Sequence, residues 1–180
     1  RLPPGPGGRC APPGRVTTNL GSSIKTGVMR NSFRVISKPF EELTVPEVYE
    51  ILRLRSEVFV VEQECAYQDI DGKDPGSWQV MVVDDEGELV AGLRVLRPGV
   101  SFPEASLGRV LTRYRGKGYG AMAMREGIRI AREQYDAETL RIEAQCHAIG
   151  FYERFGFRVD SAEFLEDGIP HVEMVASLVP

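Results

Sequence analysis

The chain has 180 residues, 42% of them hydrophobic and 27% charged, with a formal net charge of -4. That length suits one domain with a full core, since an average domain runs about 100–200 residues. A pI near 5.4 and a mean hydropathy of -0.20 speak against a nucleic-acid binder, which carries a basic face, and no apolar run approaches the roughly 20 residues of a membrane span.

Residues 1–30 are rich in Pro and Gly, as in Pro3-Pro4-Gly5-Pro6 and Pro12-Pro13-Gly14, and the first acid of the chain is Glu41. Such a composition buries no core, and it lacks the apolar stretch of a secretory signal. We expect a disordered basic arm, a leader or artificial extension upstream of Met29, followed by a single domain over residues 31–180. Residues 33–37 alternate and predict a strand. Thr44, Pro46 and Glu47 then mark a helix start, with Thr44 as N-cap and Glu47 closing a capping box. That helix is expected to reach about Phe59, with Ile51, Leu54, Val58 and Val61 on one face. Residues 62–75 are polar and broken by Asp-Gly and Asp-Pro. Residues 78–84 and 88–96 predict a hairpin, 107–111 a strand, 121–135 a helix and 139–145 another strand. Residues 148–155 predict a short helix ended by Gly156. The last strands are expected at 158–164 and 172–178, separated by a turn at 166–170. The sum is a mixed α/β sheet with helices on both faces.

The most informative stretch is Arg115-Gly116-Lys117-Gly118-Tyr119-Gly120. It lies between a predicted strand and a long predicted helix. Glycines admit positive φ and close backbone approach. Free N–H groups at a helix start, with two cations beside them, make an anion cradle. A P-loop needs Ser or Thr after its Lys, and Gly118 stands there instead. A dinucleotide site needs G-x-G-x-x-G directly after a strand and an acid ending the next one. Glu143 could serve as that acid, but the glycine spacing differs and further βαβ repeats are missing. Taken alone, the hexapeptide also fits a Gly-rich turn with two solvated cations.

In context it does not stand alone. The order strand, Arg-x-x-Gly-x-Gly, helix, strand, then Phe151-Tyr152 through Gly156-Phe157, resembles the GNAT acyltransferase superfamily. Residues 54–63 and 67–74, with Ala144-Gln145 and residues 165–171, bring the resemblance to its ElaA-type branch. It covers roughly residues 31–178. The resemblance implies a central mixed, mostly antiparallel sheet with helices on both faces. It implies acetyl-CoA as acyl donor, held by Val110, Leu111 and Thr112 and by Arg115, Gly116, Lys117, Gly118, Tyr119, Gly120 and Ala121. The thioester would lie between two splayed strands, 107–111 and 139–145, with backbone N–H groups around Val110 on the developing oxyanion. Tyr152 would serve the leaving thiolate as general acid. An alkyl ammonium has a pKa near ~10 and must lose a proton before attack. His147, His171, Glu62, Glu143 and Asp167 are the candidate bases. Many members carry an Asn seven residues before the Tyr; Gln145 stands here, so no Asn role transfers.

Arg55, Glu62, Arg109 and Gln145 are the expected acceptor-binding residues, within an acid-rich wall that includes Glu57, Glu64, Asp69 and Asp71. Arg109 either faces that cleft or pairs with one of its acids. The expected activity is direct acetyl transfer to a primary amine of a small molecule or peptide. No metal, nucleic acid or membrane is implied, and GNAT-like domains often pair as homodimers. Two rivals remain: an acyl-CoA sensor without turnover, and an acyl-homoserine-lactone-synthase-like acyltransferase, suggested by residues 55–60. Cys10, Cys65 and Cys146 are odd in number and form no C-x-x-C pair. They suggest a reducing, cytoplasmic setting and neither a disulfide framework nor a zinc site.

Overall fold

A computed structural model describes residues 33–179; the arm expected at residues 1–30 lies outside the described residues. β1 (Arg34–Pro39), β2 (Trp78–Val83), β3 (Leu89–Leu96) and β4 (Ala105–Thr112) form a consecutive antiparallel run. β5 (Thr139–Gln145) follows in space as the parallel neighbour of β4. β8 (Ile169–Ser177) lies antiparallel to β5, and it carries both β6 (Arg158–Val159) and β7 (Phe164–Glu166). The sheet is therefore mixed and mostly antiparallel. Every residue of β3 is buried, as befits a strand covered on both faces.

One face is covered by α2 (Tyr119–Tyr135), which seats Ala123, Met124, Ile130 and Ala131 on Val80, Val90, Leu93, Val95 and Leu107. Gly127 permits that close seating, because a Cβ there would lie 2.9 Å from Leu93 Cδ1. The short α3 (Ile149–Glu153) closes the same core with Tyr152. The other face is covered by α1 (Val45–Arg55), whose Leu54 packs with Val58 on Met81, Leu89 and Leu111.

The capping box forms as the residues predict. Thr44 Oγ1 accepts from the Glu47 N–H at 3.4 Å, and the Glu47 carboxylate accepts from the Thr44 N–H at 2.8 Å. Beyond Arg55 the backbone changes character. Ser56–Val61 is π-helical, with the Glu62 N–H donating to the Glu57 carbonyl at 2.9 Å. A wider turn alters the angular phase of the side chains. Val61 consequently points outward at 69% exposure and does not join Ile51, Leu54 and Val58 on the buried face. The strand expected at 158–164 is also interrupted: it breaks into β6 and β7 around residues 160–163. There Ser161 Oγ accepts from the Glu173 N–H at 2.8 Å, so a side chain replaces a ladder bond. Asp167 and Gly168 take φ of 49° and 81°, the paired left-handed conformation of a tight β7–β8 hairpin turn.

The sheet leaves little room at Gly92, where a Cβ would fall 2.9 Å from the Val80 carbonyl oxygen, a backbone atom that cannot swing aside. Gly92→Ala is expected to lower stability by about 1–3 kcal/mol in urea denaturation, as overpacking does. At Gly150 nothing lies within 4 Å of the place a Cβ would take, and Gly150→Ala is expected to stay within about 0.5 kcal/mol of the parent.

Candidate active site

β4 and β5 form a fork. They pair only at Ala105↔Leu140 and Ser106↔Arg141, and then part. At the closed end, Arg141 binds Glu104 just before β4, Glu173 on β8 and Asp160 beyond β6, at 2.7–3.1 Å. At the open end, β4 carries a bulge. Gly108 faces Arg94 and Leu111 faces Gly92, so β4 uses one residue more than β3 over the same step. Arg109 takes φ of 53° there, a left-handed value that costs a non-glycine residue about 1–2 kcal/mol. Arg109 and Val110 thus have no register partner on β3 or on β5. A bulge re-aims a strand and frees its backbone groups, and bulges recur beside active sites.

The bulge is held by buried charge. Arg55, 1% exposed, donates to Asp69 at 2.8 Å and to Asp74 at 2.7 Å. Arg94, 2% exposed, binds Asp71 at 2.7 Å and Asp74 at 3.1 Å. Arg109 donates to the Asp69 carbonyl at 3.0 Å and to Asp71 at 3.2 Å. Its Nε also lies 2.8 Å from Asp69 Oδ1, though off the hydrogen-bond axis. Tyr67 donates to Asp69, and its ring lies under the Arg109 guanidinium at 5.6 Å. Three arginines meet three aspartates, and the charges cancel. Arg55 and Arg109 therefore hold the loop at 67–74 and do not stand free in a cleft. Asp69 and Asp71 are consumed in the same way. Glu57 is paired with Arg53 and Arg113, and Glu62 with Arg115. The acid-rich wall expected from the sequence is in large part already neutralised. The buried Arg94 was missed, although an arginine inside the apolar run of β3 signals a buried partner.

On the α2 face lies the glycine loop. Gly116 and Gly118 have φ of 74° and 84°, and no side chain caps α2. The first N–H groups of that helix are thus left for another acceptor. Arg115 is 74% exposed beside them, and Lys117 is exposed as well. Tyr119 contributes only backbone to this mouth: its ring is buried, edge-on to Phe33 at 4.9 Å. Phe151 lies over Gly120, its ring 3.5 Å from where a Cβ would stand. Ala121 follows in the first turn of α2, while the Thr112 hydroxyl turns back to the Val90 and Tyr114 carbonyls. Next to Phe151, Tyr152 is 9% exposed within the core of this face. Burial alone pushes its phenol up to about 12.

On the opposite face, Arg141, Glu143 and Gln145 of β5 alternate with the core residues Leu140, Ile142 and Ala144. Glu143 stands opposite Glu173, and Gln145 opposite His171. Burial raises the Glu143 carboxyl, the charges of Glu166 and Glu173 raise it further, and Lys73 and His171 pull it back. Its surface remains open to solvent, which screens the effect. His171 is 8% exposed, with Nδ1 2.8 Å from the Ile169 carbonyl and Nε2 3.7 Å from Glu166. A carbonyl only accepts, so Nδ1 is the donor in the first of these contacts. Gln145 donates to Gln63 at 3.1 Å. His147 is exposed on the turn after β5, away from these contacts. Cys146 lies 3.6 Å from Glu163; partial burial and that carboxylate raise its thiol, the wrong direction for a nucleophile.

The model of the acetyltransferase (GNAT) domain family matches residues 41–178. The chain belongs to the GNAT family. Within it, the chain is 36% identical over 141 residues to protein ElaA of Escherichia coli, covering 77% of this chain and 92% of ElaA. The crystal structure of that ElaA superposes with a TM-score of 0.75 at 32% identity, over 81% of this chain and all of the other. An acyl-CoA N-acyltransferase from Pseudomonas aeruginosa gives the same TM-score at 36% identity and the same coverage. The AHL synthase LasI, at 20% identity and a TM-score of 0.67 over 83% of this chain and 91% of its own, shares the fold. This GNAT chain is an acyltransferase of the ElaA-type branch, and the family's donor is an acyl-CoA. Among the described residues, no helix is long and apolar enough to cross a membrane.

The charge network makes the fold acid-sensitive in a defined way. Burial would raise the Asp71 carboxyl, but hydrogen bonds from Arg94 and the Lys73 N–H, and the charges of Arg94 and Arg109, hold it well below its ordinary range. A lowered folded value means the stability is present above the unfolded value of about 4 and is lost as pH falls below it. Melting temperatures taken from pH 6 down to about pH 2 should fall steeply for the parent and distinctly less for Asp71→Asn.

Proposed function

We propose that the protein transfers an acetyl group from acetyl-CoA directly to a primary amine. The observation that carries this reading is the β4–β5 fork, with an uncapped glycine loop on one face and a titratable group, Glu143, on the other. The donor enters from the α2 face. Its pyrophosphate takes the N–H groups at residues 118–121 with Arg115 and Lys117 beside them, and the acyl carbonyl reaches the unpaired backbone at Val110. The amine approaches from the Glu143 face. Its ammonium proton passes to Glu143, directly or through water, with His171 beside that carboxylate. The amine nitrogen then attacks the thioester carbon. The C–N bond forms, the nitrogen gives up its second proton to solvent, and the oxyanion then collapses as the C–S bond breaks.

Tyr152 meets the departing sulfur. A thiol has a pKa of about 8.5, so a phenol near 12 does not give up its proton fully to the thiolate. Its role in this reading is to hold the thiolate by a hydrogen bond from a hydroxyl that stays protonated, while solvent supplies the proton.

Free-thiol release from acetyl-CoA against a panel of amines, with calorimetric CoA binding alongside, tests the whole reading. Acceptor-dependent release supports it; binding with no release from any amine would favour a sensor, and no binding would sink the donor loop. Tyr152→Phe is expected to lower kcat about 100-fold while leaving the CoA Kd within about twofold. For Glu143 the sign follows from its role: a base works deprotonated, so kcat/KM falls as pH drops through a value raised above the usual carboxylate range. Glu143→Gln should lower the rate about 100-fold or more and abolish that acid limb. A limb that survives unchanged would exclude Glu143 as the base.

A further inference from the structure

Residues 62–67 cross the open end of the fork and touch three separate walls. Glu62 pairs with Arg115 of the glycine loop. Gln63 accepts from Gln145 at the end of β5 at 3.1 Å. Cys65 Sγ lies 3.8 Å from the Asp167 carbonyl in the β7–β8 turn. The strap is anchored at both ends, upstream by the π-helical turn Ser56–Val61 and downstream by Tyr67 and Asp69 in the buried charge network. Between those anchors it has little apolar support: Glu62, Glu64 and Ala66 are exposed, and Glu64 holds a left-handed φ of 51°. Exposed polar contacts of this kind are weak and easily exchanged. The strap is therefore fixed at its ends and loosely held across its middle.

Its first contact is with a group that the proposed function assigns to the donor. We propose that Glu62 is an internal stand-in for the donor phosphate: it latches residues 62–65 across the fork, and donor binding releases the latch by taking Arg115. This rests on the reading of Arg115 as a phosphate-binding cation. The physical basis is competition for one guanidinium. Arg115 neutralises Glu62 in the free protein; a pyrophosphate offers two negative charges and also satisfies the N–H groups at the start of α2. Once it is bound, Glu62 faces like charge in place of its partner and must turn away. Gln63 is covalently next to it, so the same movement strains the contact with Gln145, on the acceptor face. Donor occupancy on one face is thereby coupled to access on the other.

The test uses the whole protein, CoA as probe, and Glu62→Gln, a substitution at a position 46% exposed whose fold is checked by thermal melting. Removing the competing charge is expected to tighten CoA binding about three- to tenfold in calorimetry at low salt. Hydrogen exchange at the amides of residues 63–65 should be faster in the CoA complex than in the free parent, and already fast in Glu62→Gln without CoA. A CoA Kd within twofold of the parent, or strap amides that CoA protects, would overturn the latch. A parent protein that binds no CoA would instead overturn the donor reading on which the latch rests.

Discussion

Three arginines and three aspartates sealed between α1, the loop after it and the sheet are what the rest of this structure depends on. Arg55 and Arg94 are almost wholly buried, and a buried guanidinium is tolerated only with its partners in place. Removing one member of such a set strands its partner, which typically costs about 3–5 kcal/mol. The set therefore fixes a segment that has no regular structure of its own. It reaches further through Arg109. Asp69 and Asp71 hold that side chain while its backbone sits in a left-handed conformation, and that conformation is the β4 bulge. β4 resumes its pairing with β3 at Leu111 and Thr112, but beyond Ser106 and Arg141 it shares no register pair with β5.

The fork matters because the two faces of the sheet differ in chemistry. On the α2 side are the uncapped helix start, exposed cations and a phenol kept protonated by burial. On the other side are Glu143, Glu173, Glu166 and His171. A polyanionic donor and a cationic acceptor would repel the wrong face and suit the right one. In the proposed reaction the fork would let them meet without either crossing the core. The Arg141 cluster at its closed end keeps the strands from parting further.

Much of this was legible from residue order. Thr44 and Glu47 form their capping box because the interaction is confined to four residues and needs nothing else. The glycine loop was readable for a similar reason: Gly116 and Gly118 occupy left-handed φ that few other residues accept. The Phe151–Phe157 segment put Tyr152 on a short helix, where it stands, but not in the core, where its ring is buried. Other features were not legible. Asp69, Asp71 and Arg55 read as an acceptor wall, and Arg109 as either facing it or pairing with its acids, because a charge in a polar stretch looks the same whether solvated or paired. Val61 fits an α-helical stripe and faces solvent only because the turn widens to π. Tyr119 lies in the glycine loop, yet its ring belongs to the core beside Phe33.

Local chemistry thus carried most of the elements, the Thr44 cap, the glycine loop and the family resemblance, since each depends on neighbours a few positions away. Which charges are committed to structure and which are left for a ligand depended on contacts across long separations, such as Arg55 with Asp74 or Arg109 with Asp69. Such pairs form only when folding brings distant segments together in a medium too apolar to leave them unpaired. The exposure of Glu143, and the pairing of Glu62, Asp69 and Asp71 with arginines, are properties of that packing.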